Sequence, residues 1–171
     1  GIVMSINPSA TQYSTDVLYE SLTSDMKRLS LAPEEIIIEI TESSIMENLG
    51  HTIEYLERIQ RTGVKIALDD FGTGFSSLNY LRTMPINYVK IDREFVRGYP
   101  HHDDGTLAKT IIRVGNDLNL EVIAEGIETK EQLNMLESFG CHFFQGYHYS
   151  RPLSFKRLVS FIKKLNQNKR V

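Results

Sequence analysis

The sequence predicts an α/β fold: a parallel sheet covered by helices, either doubly wound or closed as a (β/α) barrel. Three observations point there. Short runs rich in Val and Ile alternate with longer segments of helical spacing, about six times along 171 residues. No low-complexity linker or internal boundary divides them. Each apolar run also delivers a polar residue near its C-terminal end, in the same phase.

In chain order, "IVMSIN" (2–7) reads as the first strand. A helix over 14–30 follows, with Val17, Leu18, Leu22 and Met26 on one face. "IIIEI" (36–40) is the second strand, and a helix over 51–63 closes on Gly63. "VKIALDD" (64–70) is the third strand; the glycine-rich turn "FGTG" and a helix follow it. "YVKID" (88–92) leads to a helix over 105–119 carrying Leu107, Ile111, Ile112 and Val114. "EVIAEG" (121–126) leads to a helix over 129–140, N-capped by Thr129 and ended by Gly140. "FFQGYHY" (143–149) is the last strand, before a helix over 154–167 with Ser154 as its N-cap. A complete barrel needs eight such units and about 250 residues; this chain has six units.

Composition excludes several classes. The chain is 41% hydrophobic and 24% charged, with a net charge of -3, which attracts neither nucleic acid polymers nor anionic lipid. No apolar run approaches the roughly 18 residues of a membrane span, and the N-terminus lacks a signal-peptide pattern. A single cysteine, Cys141, rules out an internal disulfide and fits a reducing, cytoplasmic compartment. The basic end "FIKKLNQNKRV" reads as a solvated helix end rather than a binding tail.

Strand alternation sorts the polar residues. Glu39 opposes Ile38 and Ile40; Asp69 opposes Leu68 and Asp70; Lys90 and Asp92 oppose Val89 and Ile91. Asn7, Glu125 and Gln145 likewise oppose Ile6, Ala124 and Phe144. In a barrel these ends converge on one mouth, so all seven should surround one cavity, with Asp70 at its rim. Glu39, Asp69, Asp92 and Glu125 could not all stay ionised there unpaired. A divalent cation removes that conflict. All-oxygen ligands select Mg²⁺ or Mn²⁺, with Ca²⁺ a further option, whereas the lack of histidine in the set argues against zinc. Adjacent aspartates can serve two ions, an arrangement suited to phosphodiester hydrolysis, with Lys90 holding the water or a phosphate oxygen. "DFGTGFSS" fails as a dinucleotide fingerprint, because Ser77 replaces the third glycine, and fits instead as a loop over the metal site. "GYPHHDD" (98–104) reads as a solvated loop rather than a metal site.

"EITES" (39–43), "ALDDFGTGFSSLNYL" (67–81), "YVKIDREFV" (88–96), "VIAEGIET" (122–129) and "FFQGYHYSRPL" (143–153) resemble, in order and spacing, the EAL domain family of bacterial cyclic-di-GMP phosphodiesterases. The strand in "VMSINPSATQY" (3–13) resembles its asparagine strand, with Pro8 a mild departure. The resemblance implies a TIM-like (β/α) barrel that hydrolyses cyclic-di-GMP to linear pGpG with two Mg²⁺ or Mn²⁺ ions. It implies Asn7, Glu39, Asp69, Asp70, Asp92 and Glu125 as metal ligands, Asp69 bridging. Lys90, Glu125 and Asp92 then become the catalytic groups, and Gln145, Asp70 and Gly146 the substrate contacts. Glu42 would anchor the loop of Gly72, Thr73 and Gly74, which in the family couples the site to homodimerisation. Fusion to sensor or cyclase domains, and no membrane contact by this domain, are also implied. The name-giving Glu-Ala-Leu motif and its arginine are absent from these 171 residues. The expectation is therefore an EAL domain over 1–171 that lacks its first two βα units, an incomplete barrel with weak or no activity by itself. The alternative is a catalytically impaired member acting as a cyclic-di-GMP receptor or interaction module.

Overall fold

A computed structural model of the chain describes residues 2–9, 12, 15–46, 49–72 and 78–168. Its strands are β1 (Met4–Ile6), β2 (Ile36–Thr41), β3 (Lys65–Phe71), β4 (Tyr88–Ile91), β5 (Glu121–Ala124) and β6 (Phe143–Phe144). The helices are α1 (Val17–Leu29), α2 (Glu42–Met46), α3 (Leu49–Gln60), α4 (Leu78–Thr83), α5 (Thr106–Asp117), α6 (Lys130–Ser138) and α7 (Phe155–Asn168). All strands pair in parallel and in chain order, β1 to β6, in one curled sheet. This is a half-barrel with helical crossovers, the barrel option of the sequence reading.

β2 shows why the middle of the sheet is buried on both sides. Ile36, Ile37, Ile38, Glu39 and Ile40 are all buried, as expected for a parallel strand covered on both faces. Ile36, Ile38 and Ile40 pack with Val64, Ile66 and Leu68 beneath Leu22, Met26, Leu56 and Ile59 of α1 and α3. A second cluster joins Ile91, Val122 and Ala124 to Ile112, Leu133 and Leu136 of α5 and α6. Ends form where expected. Gly63 and Gly140 both take positive φ, +94° and +88°, just after α3 and α6. The Thr129 hydroxyl accepts from Gln132 N at 3.2 Å and caps α6.

Three expectations are corrected. Val17 is 57% exposed and Leu107 56%, so neither belongs to its helix's buried face. At α1 the buried stripe is Leu18, Leu22 and Met26, spaced by four; Val17 sits one position before it and turns about 100° away. The last strand is two residues long rather than 143–149. Beyond Phe144 the backbone leaves the ladder to bond residue 127, through Ile127 N to Gln145 O at 3.2 Å and His148 N to Ile127 O at 2.9 Å.

Candidate active site

The polar residues gather where the strands end. Asn7, Asp92, Glu125 and Gln145 each follow the last residue of β1, β4, β5 and β6, while Glu39, Asp69 and Lys90 lie within β2, β3 and β4. Lys90 is the hub. Its Nζ lies 2.7 Å from Glu39 Oε2, 2.7 Å from Glu125 Oε1 and 3.1 Å from Asp69 Oδ1. Asn7 Nδ2 donates to the same Glu39 Oε2 at 2.9 Å. Lys90 is 3% exposed and Glu39 5%, so these charges interact with little screening.

Burial alone would pull the Lys90 pKa down. The hydrogen bonds and charges of Glu125, Glu39 and Asp69 outweigh it and hold the ammonium well above its usual range. Glu39 is likewise disfavoured as an anion by burial, yet Lys90, Ser5 and Asn7 bring its pKa below the usual value. Glu125 goes the other way. Burial, reinforced by the charges of Asp69 and Glu39, raises its pKa despite Lys90. Glu125 Oε1 is buried with no aligned hydrogen bond, only the ion pair.

The two adjacent aspartates are separated by a β-bulge. Leu68 pairs with Val89 and Phe71 with Ile91, so β3 carries one more residue than β4 across that interval. Asp70 absorbs the bulge with φ of +56°, a conformation that Asp tolerates better than most residues. Strict alternation would turn Asp70 to the aliphatic face; the bulge removes that constraint. Burial first, then the charges of Asp69 and Asp92, raise the Asp70 pKa, with Lys90 opposing. Asp92 has a second task that its spacing did not reveal. Its Oδ1 accepts from Glu94 N at 2.7 Å and caps a 3₁₀ turn over Arg93–Phe95.

Gln145 lines a cavity of about 480 Å³ together with Glu125, Gly146, Arg93, Tyr147 and Arg151. Arg151 stacks over the Tyr147 ring at 4.8 Å. The two arginines were missed because each stands beside a stronger motif residue, in "YVKIDREFV" and "YSRPL"; only the fold places both beside Glu125. Gly146 is where the cavity wall is tightest: a Cβ there would lie 2.1 Å from Ile127 O.

Glu42 is 4% exposed, and its Oε2 has no hydrogen-bond partner among the described residues. Gly72 takes φ of +93°. Thr73 and Gly74 lie outside the described residues, as do Ser76 and Ser77. In the 98–104 loop, Asp103 and Asp104 accept from Gly105 N and Thr106 N at 2.7 and 2.9 Å. These acids serve the start of α5, and His101 and His102 are exposed.

Among the described residues no three His, Cys, Asp or Glu side chains stand ready as a preformed metal cage. The donor set nevertheless fits hard divalent ions. Every candidate ligand atom is oxygen, three carboxylates meet one ammonium with Asp70 and Asp92 beside them, and burial and like charge disfavour the ionised forms of Asp70 and Glu125. Added positive charge would relieve both.

Known proteins resemble this chain over most of its length. The EAL domain model matches residues 1–152. The bifunctional diguanylate cyclase/cyclic di-GMP phosphodiesterase MucR of Pseudomonas aeruginosa is 38% identical over 93% of this chain and 23% of its own length. The structure of PaMucR phosphodiesterase in complex with c-di-GMP superimposes with a TM-score of 0.85 at 38% identity, covering 91% of this chain and 64% of that one. A manganese/cy-diGMP complex of Klebsiella pneumoniae BlrP1 gives 0.78 at 31% identity, covering 88% and 39%. The chain spans about a fifth to a quarter of the curated relatives it matches. Strand-end acids around a buried lysine, on a parallel half-barrel that shares both sequence and backbone path with these proteins, make this chain a member of the EAL domain family.

Proposed function

We propose that the chain is the larger part of a cyclic-di-GMP phosphodiesterase domain that opens the ring to linear pGpG. The observation that carries this reading is the ion-paired hub of Lys90 with Glu39, Asp69 and Glu125, set beside a cavity lined by Arg93 and Arg151. The arginines suit the phosphates of a cyclic dinucleotide, and Gln145 and Gly146 border the same space. Asn7, Glu39, Asp69, Asp70, Asp92 and Glu125 would hold two Mg²⁺ or Mn²⁺ ions, which supply an activated water and neutralise the phosphate.

The side chains divide the remaining work. Lys90 stays protonated because three carboxylates surround it, so it donates hydrogen bonds to the attacking water and cannot serve as the base. Glu125, whose basicity burial increases, accepts the proton. Asp92 shapes the rim through its cap on the turn carrying Arg93. Glu42, buried at the start of α2 with an unpartnered oxygen, anchors the glycine-rich loop of Gly72, Thr73 and Gly74. Through that loop the domain would form a homodimer.

The domain spans 1–171, and the outer edges of β1 and β6 are available for further βα units to pair. Sensor or cyclase domains accompany it in the whole protein, and the domain itself works in the cytoplasm whether or not the whole protein carries a membrane anchor. No helix among the described residues is long and apolar enough to cross a membrane. A second reading, nucleotide receptor without turnover, draws on the absence of the name-giving glutamate and its arginine from these residues. Incubating the protein that carries this chain with cyclic-di-GMP and Mn²⁺, and following pGpG, separates the two. Asp69→Ala should abolish product, and turnover retained in that variant would refute the bridging role of Asp69.

A further inference from the structure

The cavity wall that carries Glu125 is an irregular stretch, residues 125–129, between β5 and α6. Neither a strand ladder nor a helix fixes it. It packs directly on the turn that carries Arg93: a Cβ on Gly126 would lie 2.3 Å from the Cβ of Arg93. Arg93, Glu125, Gly126 and Glu128 all line the cavity, so the seam between these two segments is part of its wall.

One buried side chain, Gln132 on the first turn of α6, bonds to both segments. Its Oε1 accepts from Glu128 N at 2.8 Å and Thr129 N at 3.1 Å. Its Nε2 reaches across to donate to Val96 O at 3.3 Å, at the end of the turn that begins with Arg93. Gln132 is 4% exposed. An ordinary N-terminal cap needs only the Oε1 half of this arrangement. The Nε2 half is unrelated to helix capping and adds a second bond to a carbonyl 36 residues away in sequence, which also accepts from Tyr99 N at 3.2 Å.

We propose that Gln132 is a positioning residue for substrate binding: it ties the Arg93–Val96 turn to the Glu125–Thr129 stretch and so fixes where Arg93 and Glu128 stand in the cavity wall, resting on the reading of that cavity as a cyclic-dinucleotide site. Glu125 itself is held separately, by Lys90 and by the bond from its own N to Ile91 O at 3.1 Å. Loss of the tether therefore acts on substrate affinity more than on the chemical step.

Gln132→Glu isolates the tether. A carboxylate still accepts from Glu128 N and Thr129 N, now with charge assistance at a helix N-terminus, but it cannot donate to Val96 O. In the whole protein the expected result is a KM for cyclic-di-GMP raised about five- to tenfold, the worth of one buried hydrogen bond, with kcat within about twofold. In nucleotide-free protein, amide exchange should quicken over 93–97 while α6 keeps its protection. Gln132→Ala should show both effects and also unfold at a lower temperature. KM and exchange at 93–97 both unchanged in Gln132→Glu would leave only a cap and overturn the proposal. A wild-type protein that fails to bind cyclic-di-GMP would overturn the substrate reading alone, and the exchange comparison would still decide for or against the tether.

Discussion

Lys90 shows how one residue can hold a site together. Three carboxylates within 3.1 Å of its Nζ compensate one another's burial only because the ammonium is there. Lys90→Met would leave those acids facing each other in a low-dielectric setting, and breaking a buried charge pair of this kind costs about 3–5 kcal/mol. Thermal unfolding should show that loss, and Mg²⁺ or Mn²⁺ should recover more of it in the variant than in the wild type. An unchanged melting temperature would contradict the hub. Cys141 is the opposite case, a reactive group made inert. It is 1% exposed, and its Sγ donates to Val122 O at 3.3 Å. Burial raises its pKa above that of a free thiol, so the nucleophilic thiolate appears only at higher pH than usual. A thiol reagent at pH 8 should label the folded protein slowly and the denatured protein fully; fast labelling of the folded form would contradict this burial.

At the scale of elements, the site depends on places where regular structure breaks. The bulge between Leu68 and Phe71 frees Asp70 from strict alternation. The early end of β6 lets residues 145–148 bond to residue 127 and close one side of the cavity. That contact leaves no room for a side chain at Gly146, where a Cβ would meet Ile127 O at 2.1 Å and Ile127 N at 2.3 Å. Backbone atoms held by hydrogen bonds cannot swing aside as a flexible side chain can. Gly146→Ala should therefore move the 145–148 segment and weaken nucleotide binding more than tenfold, an outcome of a displaced wall rather than a lost contact. Binding by calorimetry checks it, and wild-type affinity would show that the segment relaxes elsewhere.

Across the whole molecule, the sheet has two edges, β1 and β6, that pair with no other strand among the described residues. Exposed apolar residues gather near them: Ile2, Val3, Met4 and Ile6 at β1, and Phe143 at β6. Helix α7, which follows β6, leaves Phe155 82% and Leu158 41% exposed. Unpaired strand edges with apolar surface recruit other chains. The isolated 171-residue chain should accordingly self-associate as its concentration rises, and turn over cyclic-di-GMP weakly or not at all. Light scattering and product formation test the two statements separately. A monomer at high concentration would contradict the first, and turnover near that of a complete domain the second.

The alternation of strand and helix, the buried stripes and most of the polar phase are legible in the amino-acid order alone, because they depend on periods of 2 and 3.6 residues that local chemistry sets. Glu39, Asp69 and Lys90 could be placed on common faces from alternation alone. Its motifs also carried the family resemblance. Val17 and Leu107 could not be assigned to solvent that way, since a stripe's edge is decided by what packs against it. Tertiary structure alone decided that Lys90 meets Glu39, Asp69 and Glu125 together, that a bulge redirects Asp70, that Asp92 caps a turn, and that Arg93 and Arg151 share one cavity. The Asp92 cap is local, reaching only Glu94; the others join residues about 20 to 60 apart in the chain, and no local pattern records such distances.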